Sequence, residues 1–392
     1  MQSPTVGIDL GTTFTSVGVV RDRKVVLLAD AQGNRMIPSV VSYLSAKEVV
    51  VGYQARDRLA VAPARTVASP KRLLGLKFDE REVKSFLAQQ PYMAHKAQDG
   101  GTLLDICQQK VAIPQLCAHL LTWARQTAEA NLKTDVDAAV IAVPVTFDDN
   151  RLLALARAAR LAGFRSVEFI DEPTAAAVAN RYTPGFGGII GIYDFGGGTF
   201  DFSLVDVSHQ RFRVLATAGD AWLGGDDMDN VLAEAAANQF WRQHKVDLRN
   251  QAVEWQKLRL SCEAAKRALG EHDVATIEVP DALRTASGMV GLNISIDRRI
   301  FARAARALID RSLSVCDTAL HQAGLQANQL SAVYLCGGTS HIAAVRSAVA
   351  EHFRVPLRVG IAPDQAVCLG AAIEGSVMAN RRPSSLRAKT VP

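Results

Sequence analysis

The chain has 392 residues, of which 48% are hydrophobic and 21% charged, so it is long enough to form at least two packed lobes. No apolar run reaches the roughly 18 residues of a membrane span, and no targeting segment precedes the first apolar strand. We therefore expect a soluble, cytoplasmic protein without a membrane partner. Four positive charges near the C-terminus (Arg381, Arg382, Arg387 and Lys389) supply most of the net charge of +5, which argues against a nucleic-acid surface elsewhere.

The first half of the chain begins with a predicted β-hairpin. An apolar strand at residues 6–8 leads into the turn D-L-G-T-T (9–13), and a second apolar strand follows at 17–20. Further on, an apolar strand at 138–143 precedes an amphipathic helix at about 150–162. Glu172 then opens a helix of small residues.

The second half repeats this order. A strand at 189–193 leads into the turn D-F-G-G-G-T (194–199) and a strand at 200–205. A strand at 332–336 precedes a helix at about 340–353, and Asp364 precedes another small-residue helix. The repeat predicts two equivalent α/β lobes that face each other across a cleft.

Two long spacers are predicted as insertions, one in each lobe. Residues of about 40–115 contain short strands and a basic stretch, and residues of about 227–305 contain helices and strands. The predicted domains are therefore lobe I (1–188), lobe II (189–378) and a polar, basic, disordered tail (379–392). The six scattered cysteines form no C-x-x-C pair, which indicates free thiols of a reducing compartment rather than a zinc site or disulfides.

A carboxylate beside each predicted turn indicates a bound cation. Successive backbone N–H groups in a glycine turn form a concavity that binds anions, and threonine hydroxyls add donors. Asp9 and Asp194 would repel a phosphate there unless a divalent cation lay between them, which implies Mg²⁺. One such turn also fits an ordinary hairpin, but two at equivalent positions favour a phosphate site. The sequence contains no Gly-Lys dipeptide, hence no Walker A loop, and no G-x-G-x-x-G.

An ordered series of motifs resembles those of the 70-kDa heat-shock chaperone family, from about residue 5 to about residue 378. The resemblance implies an α/β fold of the duplicated actin-like (ribonuclease H-like) type, in which two lobes with inserted subdomains enclose an ATP site. The motifs are D-L-G-T-T (9–13), K-R-L-L-G (71–75), E-P-T-A-A-A (172–177), Y-D-F-G-G-G-T-F-D (193–201), L-G-G-D-D (223–227), E-A-A-K-R (263–267), C-G-G-T-S (336–340) and P-D-Q-A-V (363–367).

The resemblance also implies roles for individual residues. Asp9 and Asp194 would hold a hydrated Mg²⁺, and Asp201 would help to bind a monovalent ion such as K⁺. Lys71 would reach the γ-phosphate and Glu172 would orient the attacking water, with Asp194 and Thr199 completing the catalytic set. The residues expected around ATP or ADP are Gly11, Thr12, Thr13, Gly196, Gly197, Gly198 and Thr199 at the phosphates, Gly224 and Gly225 nearby, Glu263 and Lys266 at the ribose, and Arg267, Gly337, Gly338, Thr339, His341 and Asp364 at the adenosine.

Several of these residues also fit plainer roles. Lys71 taken alone is a typical surface lysine, and Glu172 before a proline is an ordinary residue at a helix start. Glu263 and Lys266 are spaced i, i+3 and fit a helix-surface ion pair.

The sequence departs from the family pattern at identifiable positions. His341 replaces an arginine that stacks on adenine, and Gly270 replaces a serine, which weakens but does not abolish nucleotide binding. Leu152 replaces an arginine that couples the two domains of the family, with Arg151 one residue earlier. The acidic, apolar linker of the family is missing after Gly375, so we expect a nucleotide-binding domain without the peptide-binding domain.

These features together favour a slow, switch-like ATPase that converts ATP and water to ADP and phosphate. Its expected partners are a nucleotide-exchange factor and a J-domain-like cochaperone, because a nucleotide switch acts through proteins that distinguish its states. Two alternatives remain open: an actin-like filament or scaffold protein, and a small-molecule kinase. The E-P-T-A-A-A motif and Lys71 favour hydrolysis over a kinase reaction.

Overall fold

The computed structural model describes residues 4–208, 212–285 and 288–381 of the chain. Within these ranges the backbone forms nineteen strands and ten α-helices, joined by loops and short 3-10 turns. The strands are β1 (Thr5–Leu10), β2 (Phe14–Arg21), β3 (Lys24–Leu27), β4 (Met36–Pro38), β5 (Val40–Tyr43), β6 (Val49–Val51), β7 (Thr66–Ala68), β8 (Ala94–Lys96), β9 (Thr102–Ile106), β10 (Gln109–Ala112), β11 (Ala138–Val143), β12 (Ser166–Asp171), β13 (Ile189–Phe195), β14 (Phe200–Asp206), β15 (Arg213–Asp220), β16 (Val274–Thr285), β17 (Gly288–Asp297), β18 (Ala332–Cys336) and β19 (Leu357–Arg358). The helices are α1 (Tyr53–Asp57), α2 (Arg81–Leu87), α3 (Ile113–Leu132), α4 (Asp149–Leu161), α5 (Glu172–Asn180), α6 (Gly225–His244), α7 (Ala252–Ala268), α8 (Arg298–Ala323), α9 (Ala343–Phe353) and α10 (Ala366–Arg381).

Two mixed sheets have the same strand order and form the cores of two lobes. In the first sheet, β3-β2-β1-β11-β12, strand β1 pairs antiparallel with β2 and parallel with β11. In the second sheet, β15-β14-β13-β18-β19, strand β13 pairs antiparallel with β14 and parallel with β18. The equivalent orders confirm the internal repeat that the two Gly-Thr turns predicted, including the β-hairpin at each turn.

The parallel strands explain why the sequence has short, continuous apolar runs. Strands β11 and β18 are buried at every position, as is typical of parallel strands that are covered on both faces. A further apolar cluster joins the lobes, because it combines residues of β11 and β13 with residues of α5 and α10. The lobes are therefore connected by packed apolar side chains as well as by the chain itself.

Helices α5 and α10 pack against each other through small residues. A Cβ on Gly370 would lie 1.8 Å from the carbonyl oxygen of Ala175, and one on Gly7 would lie 2.0 Å from the Ala372 nitrogen. Only glycine, which has no Cβ, permits such close backbone approach at these two positions. Helix α10 thereby packs on β1 and β2 of the first lobe, although it follows the second lobe in sequence.

The end of the chain therefore differs from the prediction. Residues 366–378, predicted as part of the second lobe, pack on the first, because α10 crosses between the lobes after the second sheet is complete. Residues 379–381, predicted as the start of a polar tail, continue α10. The remainder of the predicted tail, residues 382–392, lies outside the described residues.

The two predicted insertions contain secondary structure of their own. Residues 40–115 form two three-stranded sheets, β6-β5-β7 and β10-β9-β8, together with α1 and α2. Residues 227–305 contain most of α6, all of α7 and the β16–β17 hairpin. These elements form the walls above the two central sheets.

Two further predictions concern helices and cysteines. The helix predicted from about residue 340 begins at Ala343, because residues 338–341 form a 3-10 turn after Gly337, whose φ is 75°. All six cysteines are described and are free; five are buried and Cys107 is partly exposed. No helix within the described ranges is both long and apolar enough to cross a membrane.

Candidate functional site

The two Gly-Thr turns meet across the cleft between the lobes. A Cβ on Gly197 would lie 1.8 Å from the Thr13 hydroxyl oxygen, and one on Gly198 would lie 2.2 Å from the Thr12 methyl carbon. These contacts place the backbone of one turn directly against side chains of the other. The hairpin of each lobe thus brings its turn and its carboxylate to the same point.

Two further glycines, Gly224 and Gly225, support the turn at residues 196–199. The Asp226 backbone N–H donates to the Gly197 oxygen at 2.7 Å, and the Gly225 N–H donates to the Gly196 oxygen at 3.1 Å. A Cβ on Gly224 would lie 2.2 Å from the Gly197 oxygen, so a side chain there would displace the turn. Gly224 and Gly225 therefore shape the turn from outside the cavity rather than lining it.

A cavity of about 560 Å³ opens beside the turns. Its size lies within the usual range for small-molecule and cofactor sites. Most of the predicted site residues line it, whereas Gly198, Gly224, Gly225 and Asp201 lie around it. The predicted residues that line the cavity are Asp9, Gly11, Thr12, Thr13, Lys71, Glu172, Asp194, Gly196, Gly197, Thr199, Glu263, Lys266, Arg267, Gly337, Gly338, Thr339, His341 and Asp364.

Three aspartates form an acidic cluster, of which Asp9 and Asp194 line the cavity and Asp201 lies beside it. Asp194 and Asp201 lie directly opposite each other on β13 and β14, an arrangement that destabilises two like charges. Burial raises the pKa of Asp9 to about 7, partly opposed by the Lys71 charge. Burial raises the pKa of Asp201 to about 7, and the Glu172 charge contributes to this rise. For Asp194, burial and then the carboxylates of Glu172, Asp201 and Asp9 raise the pKa well above its usual range.

The ionised carboxylates of this cluster are more favourable beside a bound cation than without one. The described residues contain no group of three or more His, Cys, Asp or Glu side chains arranged to hold a metal ion directly. A hydrated Mg²⁺ does not need such a group, because it keeps several waters and contacts one or two carboxylates and the phosphates. Asp9 and Asp194, which both line the cavity, are the carboxylates that could hold such an ion.

Lys71 and Glu172 form a buried ion pair beside the aspartates. The Lys71 Nζ lies 2.8 Å from the Glu172 Oε1, and the two side chains are 6% and 11% exposed. Lys71 lies on the 3-10 turn Pro70–Leu73, and Glu172 is the first residue of α5, where the helix dipole favours a carboxylate. The structure thus brings together the two residues that the sequence placed about a hundred positions apart, and neither is on the surface.

Glu263 and Lys266 of α7, expected at the ribose, both line the cavity, but they do not form the helix-surface ion pair that is their plainer role. Lys266 does not pair with Glu263; its Nζ donates to the Asp229 carboxylate at 2.7 Å and to the Gly225 oxygen at 2.8 Å. Burial raises the pKa of Asp229 to about 7, although the Lys266 charge opposes this. Glu263 instead pairs with Arg267 at 3.0 Å and with Arg56 of the first lobe at 2.8 Å. Lys266 therefore anchors α6, and Glu263 joins the two lobes.

The sequence matches the model of the Hsp70 protein family over residues 5–387, which is nearly the entire chain. The chain belongs to the Hsp70 family. Hsp70 proteins are chaperone-type ATPases that bind ATP or ADP with a divalent metal, and the duplicated α/β lobes described above agree with their actin-like nucleotide-binding domain.

Two positions where this Hsp70 departs from the family pattern lie on the cavity rim. His341, in place of the stacking arginine, is 48% exposed, and its Nε2 lies 3.7 Å from the Asp364 carboxylate. Arg346 approaches the other ring nitrogen of His341 at 3.3 Å. Interaction with the nearby His341 side chain lowers the pKa of the Asp364 carboxyl below its usual range. Gly270 also lines the cavity, so the missing serine leaves space beside the α7 wall.

Several cross-lobe contacts of this Hsp70 were not predicted from its sequence. Arg72 pairs with Asp227 at 3.2 Å, and Asp226 accepts hydrogen bonds from Ser69 at 3.3 Å and Thr13 at 3.4 Å. Asp226 also lines a larger outer cavity of about 850 Å³, so these contacts mark the boundary between the two cavities. The signal was present in the K-R-L-L-G and L-G-G-D-D motifs, but a single sequence does not show that they face each other.

Proposed function

We propose that this Hsp70 chain binds ATP and ADP together with Mg²⁺ in the 560 Å³ cavity and slowly hydrolyses ATP. The observation that carries this proposal is the buried Lys71–Glu172 pair beside the two Gly-Thr turns and the acidic cluster. A cation-binding cluster, an anion-binding backbone and a lysine–carboxylate pair at one point are the elements that phosphoryl transfer to water requires.

Each group has a proposed role. Asp9 and Asp194 hold the hydrated Mg²⁺, which neutralises phosphate charge, and Asp201 helps to bind a monovalent ion such as K⁺. The turns at 11–13 and 196–199 donate to the phosphates. Lys71 binds the transferred phosphoryl group, and Glu172 orients the attacking water.

The pairing of Lys71 with Glu172 supports a slow rate. With Lys71 already 2.8 Å from a carboxylate, the ammonium must leave or share that partner to bind the phosphoryl group. Breaking a buried ion pair is costly, so this step adds to the barrier. We therefore infer that hydrolysis is slow, so that the ATP-bound state persists before it is converted to the ADP-bound state.

The proposed output is a change in lobe closure. Phosphate contacts come from both lobes, so ATP and ADP differ in how strongly they hold the lobes together. A ligand shifts such an equilibrium only through its differential affinity for the states. A nucleotide-exchange factor and a J-domain-like cochaperone are the partners that would recognise these states.

Calorimetry with and without Mg²⁺ tests the proposal. We expect ADP to bind at least about tenfold more weakly in EDTA than in Mg²⁺, because uncompensated phosphate and carboxylate charges repel each other. Asp9→Asn should lose most of the Mg²⁺ dependence, whereas Asp281→Asn on the exposed edge of β16 should keep it. Equal ADP affinity with and without Mg²⁺ in the wild-type protein would contradict the proposed site.

A further inference from the structure

Arg151 is buried although it lies in the first turn of a helix. It is the third residue of α4 and is 8% exposed, while Arg157 and Arg160 of the same helix are exposed. Taking a guanidinium out of water costs several kcal/mol unless other groups compensate. The position of Arg151 therefore needs an explanation in terms of what its side chain contacts.

The side chain of Arg151 contacts the turn that carries Lys71. Its Nη2 donates to the Lys71 carbonyl oxygen at 3.3 Å, and both groups are buried. Its guanidinium lies 4.0 Å from the centre of the Phe147 ring, and the Lys71 Nζ lies 5.5 Å from the centre of the same ring. The Arg151 guanidinium and the Lys71 ammonium thus both lie over the Phe147 ring.

The backbone of Arg151 holds the other end of the same turn. Gly75 has a φ of 75°, and a Cβ there would lie 2.5 Å from the Arg151 Cα. The K-R-L-L-G segment therefore packs against Arg151 at Gly75 and is hydrogen-bonded to Arg151 at Lys71. Asp148 fixes Arg151 in turn, because its carboxylate accepts from the Arg151 backbone N–H at 2.9 Å.

Arg151 also places a second positive charge behind Lys71. The carboxylates whose charge acts on its guanidinium are those of Asp148, Asp201, Glu172 and Glu80. Its Nε is buried and has no hydrogen-bond partner within the described residues. The guanidinium is therefore held by one hydrogen bond, one aromatic face and the surrounding acidic charge.

We propose that Arg151 is a positioning residue for Lys71: it clamps the 71–75 segment so that the Lys71 ammonium stays directed at Glu172 and the cavity. The inference rests on the proposed ATPase function for its kinetic consequence. Its structural consequence, the fixed position of the Lys71 ammonium, does not depend on hydrolysis. Both consequences are open to measurement.

The kinetic test compares Arg151→Gln with Arg157→Gln, an exposed position on the same helix. Loss of a hydrogen bond from a charged group predicts a single-turnover hydrolysis rate about ten- to a hundredfold lower in Arg151→Gln. The ADP dissociation constant should change by less than about threefold, because Arg151 does not line the cavity. Arg151→Lys retains a charge over Phe147 and should recover part of the rate, whereas Arg157→Gln should behave as wild type.

The structural test measures the reactivity of the Lys71 amine towards an acetylating reagent, read by mass spectrometry in the absence of nucleotide. The held, buried amine should react slowly in wild type and in Arg157→Gln, and several-fold faster in folded Arg151→Gln. Unchanged Lys71 reactivity together with an unchanged rate in Arg151→Gln would overturn the inference. A wild-type chain that does not hydrolyse ATP would refute the proposed function, and the acetylation result would still decide the role of Arg151.

Discussion

The acidic cluster predicts that removing one carboxylate stabilises the nucleotide-free protein. Asp201 is 8% exposed, and burial raises its pKa from 3.8 to about 7. A carboxyl with a raised pKa binds its proton more tightly in the folded state. The folded state therefore loses stability as the pH rises from about 4 through about 7, and above that range the loss is complete.

The size of this loss follows from the pKa change. A rise in the pKa from 3.8 to about 7 corresponds to about 4 kcal/mol of unfolding free energy at pH 8. Asn at position 201 carries no charge to bury but keeps part of the cost of burying a polar group. We therefore expect Asp201→Asn to be about 2–4 kcal/mol more stable than wild type at pH 8, and nearly equal to it at pH 4.

Urea denaturation in EDTA, followed by tryptophan fluorescence between pH 4 and pH 8, measures this difference. Urea is uncharged and does not screen the cluster as guanidinium would. Asp281→Asn, at an exposed position, should follow the wild-type curve. With Mg²⁺ and ADP the advantage of Asp201→Asn should shrink, because cations then compensate the carboxylates. An Asp201→Asn protein with the wild-type pH dependence in EDTA would refute this account of the cluster.

Two further predictions concern the catalytic pair and the turns. Lys71→Ala should lower the single-turnover rate by about a hundredfold or more while ATP affinity changes little, and a wild-type rate at saturating ATP would exclude the proposed role. Gly197→Ala should weaken ADP binding by more than about tenfold, because its Cβ would lie 1.8 Å from the Thr13 hydroxyl. Gly187→Ala, whose Cβ would meet no atom within 4 Å, should bind ADP as wild type does, and the same calorimetric titration compares all three proteins.

Local patterns in the sequence predicted six strands of the two central sheets (β1, β2, β11, β13, β14 and β18) but not β3, β4, β12, β15 or β19. The strands at 138–143 and 332–336 agree with β11 and β18 residue for residue, because continuous apolar runs between turn signals define buried parallel strands. The start of α9 was predicted too early because Thr339 and Ser340, which are typical of a helix start, lie in the 3-10 turn at 338–341. The crossing of α10 to the first lobe could not be predicted, since it depends on packing between distant segments.

The sequence indicated those parts of the candidate site where a motif by itself implies a chemical role. Paired Asp-Gly-Thr turns indicated the phosphate end, and the structure brings those turns into contact. The partners of Lys266 and Glu263 in the α7 wall could not be predicted, because Asp229 and Arg56 lie far away in sequence. Arg151 stood out in the sequence only as an arginine one residue before Leu152, and its burial could not be predicted because a charged residue in the first turn of a helix is normally exposed. Burial of that side chain is visible only in three dimensions.

The ion pair between Arg56 and Glu263 across the cleft is weak compared with the energy that a bound nucleotide would supply. Arg56 and Glu263 are 23% and 18% exposed, so their 2.8 Å ion pair contributes on the order of 1 kcal/mol or less. A nucleotide bound with micromolar affinity would contribute about 8 kcal/mol, and in the proposed site it would contact both lobes. The apolar cluster around α5 and α10 keeps the lobes joined at their base when the ion pairs break. In the proposed switch, a bound nucleotide that contacts both lobes would therefore add to the cost of opening, which is the energetic condition that nucleotide control requires.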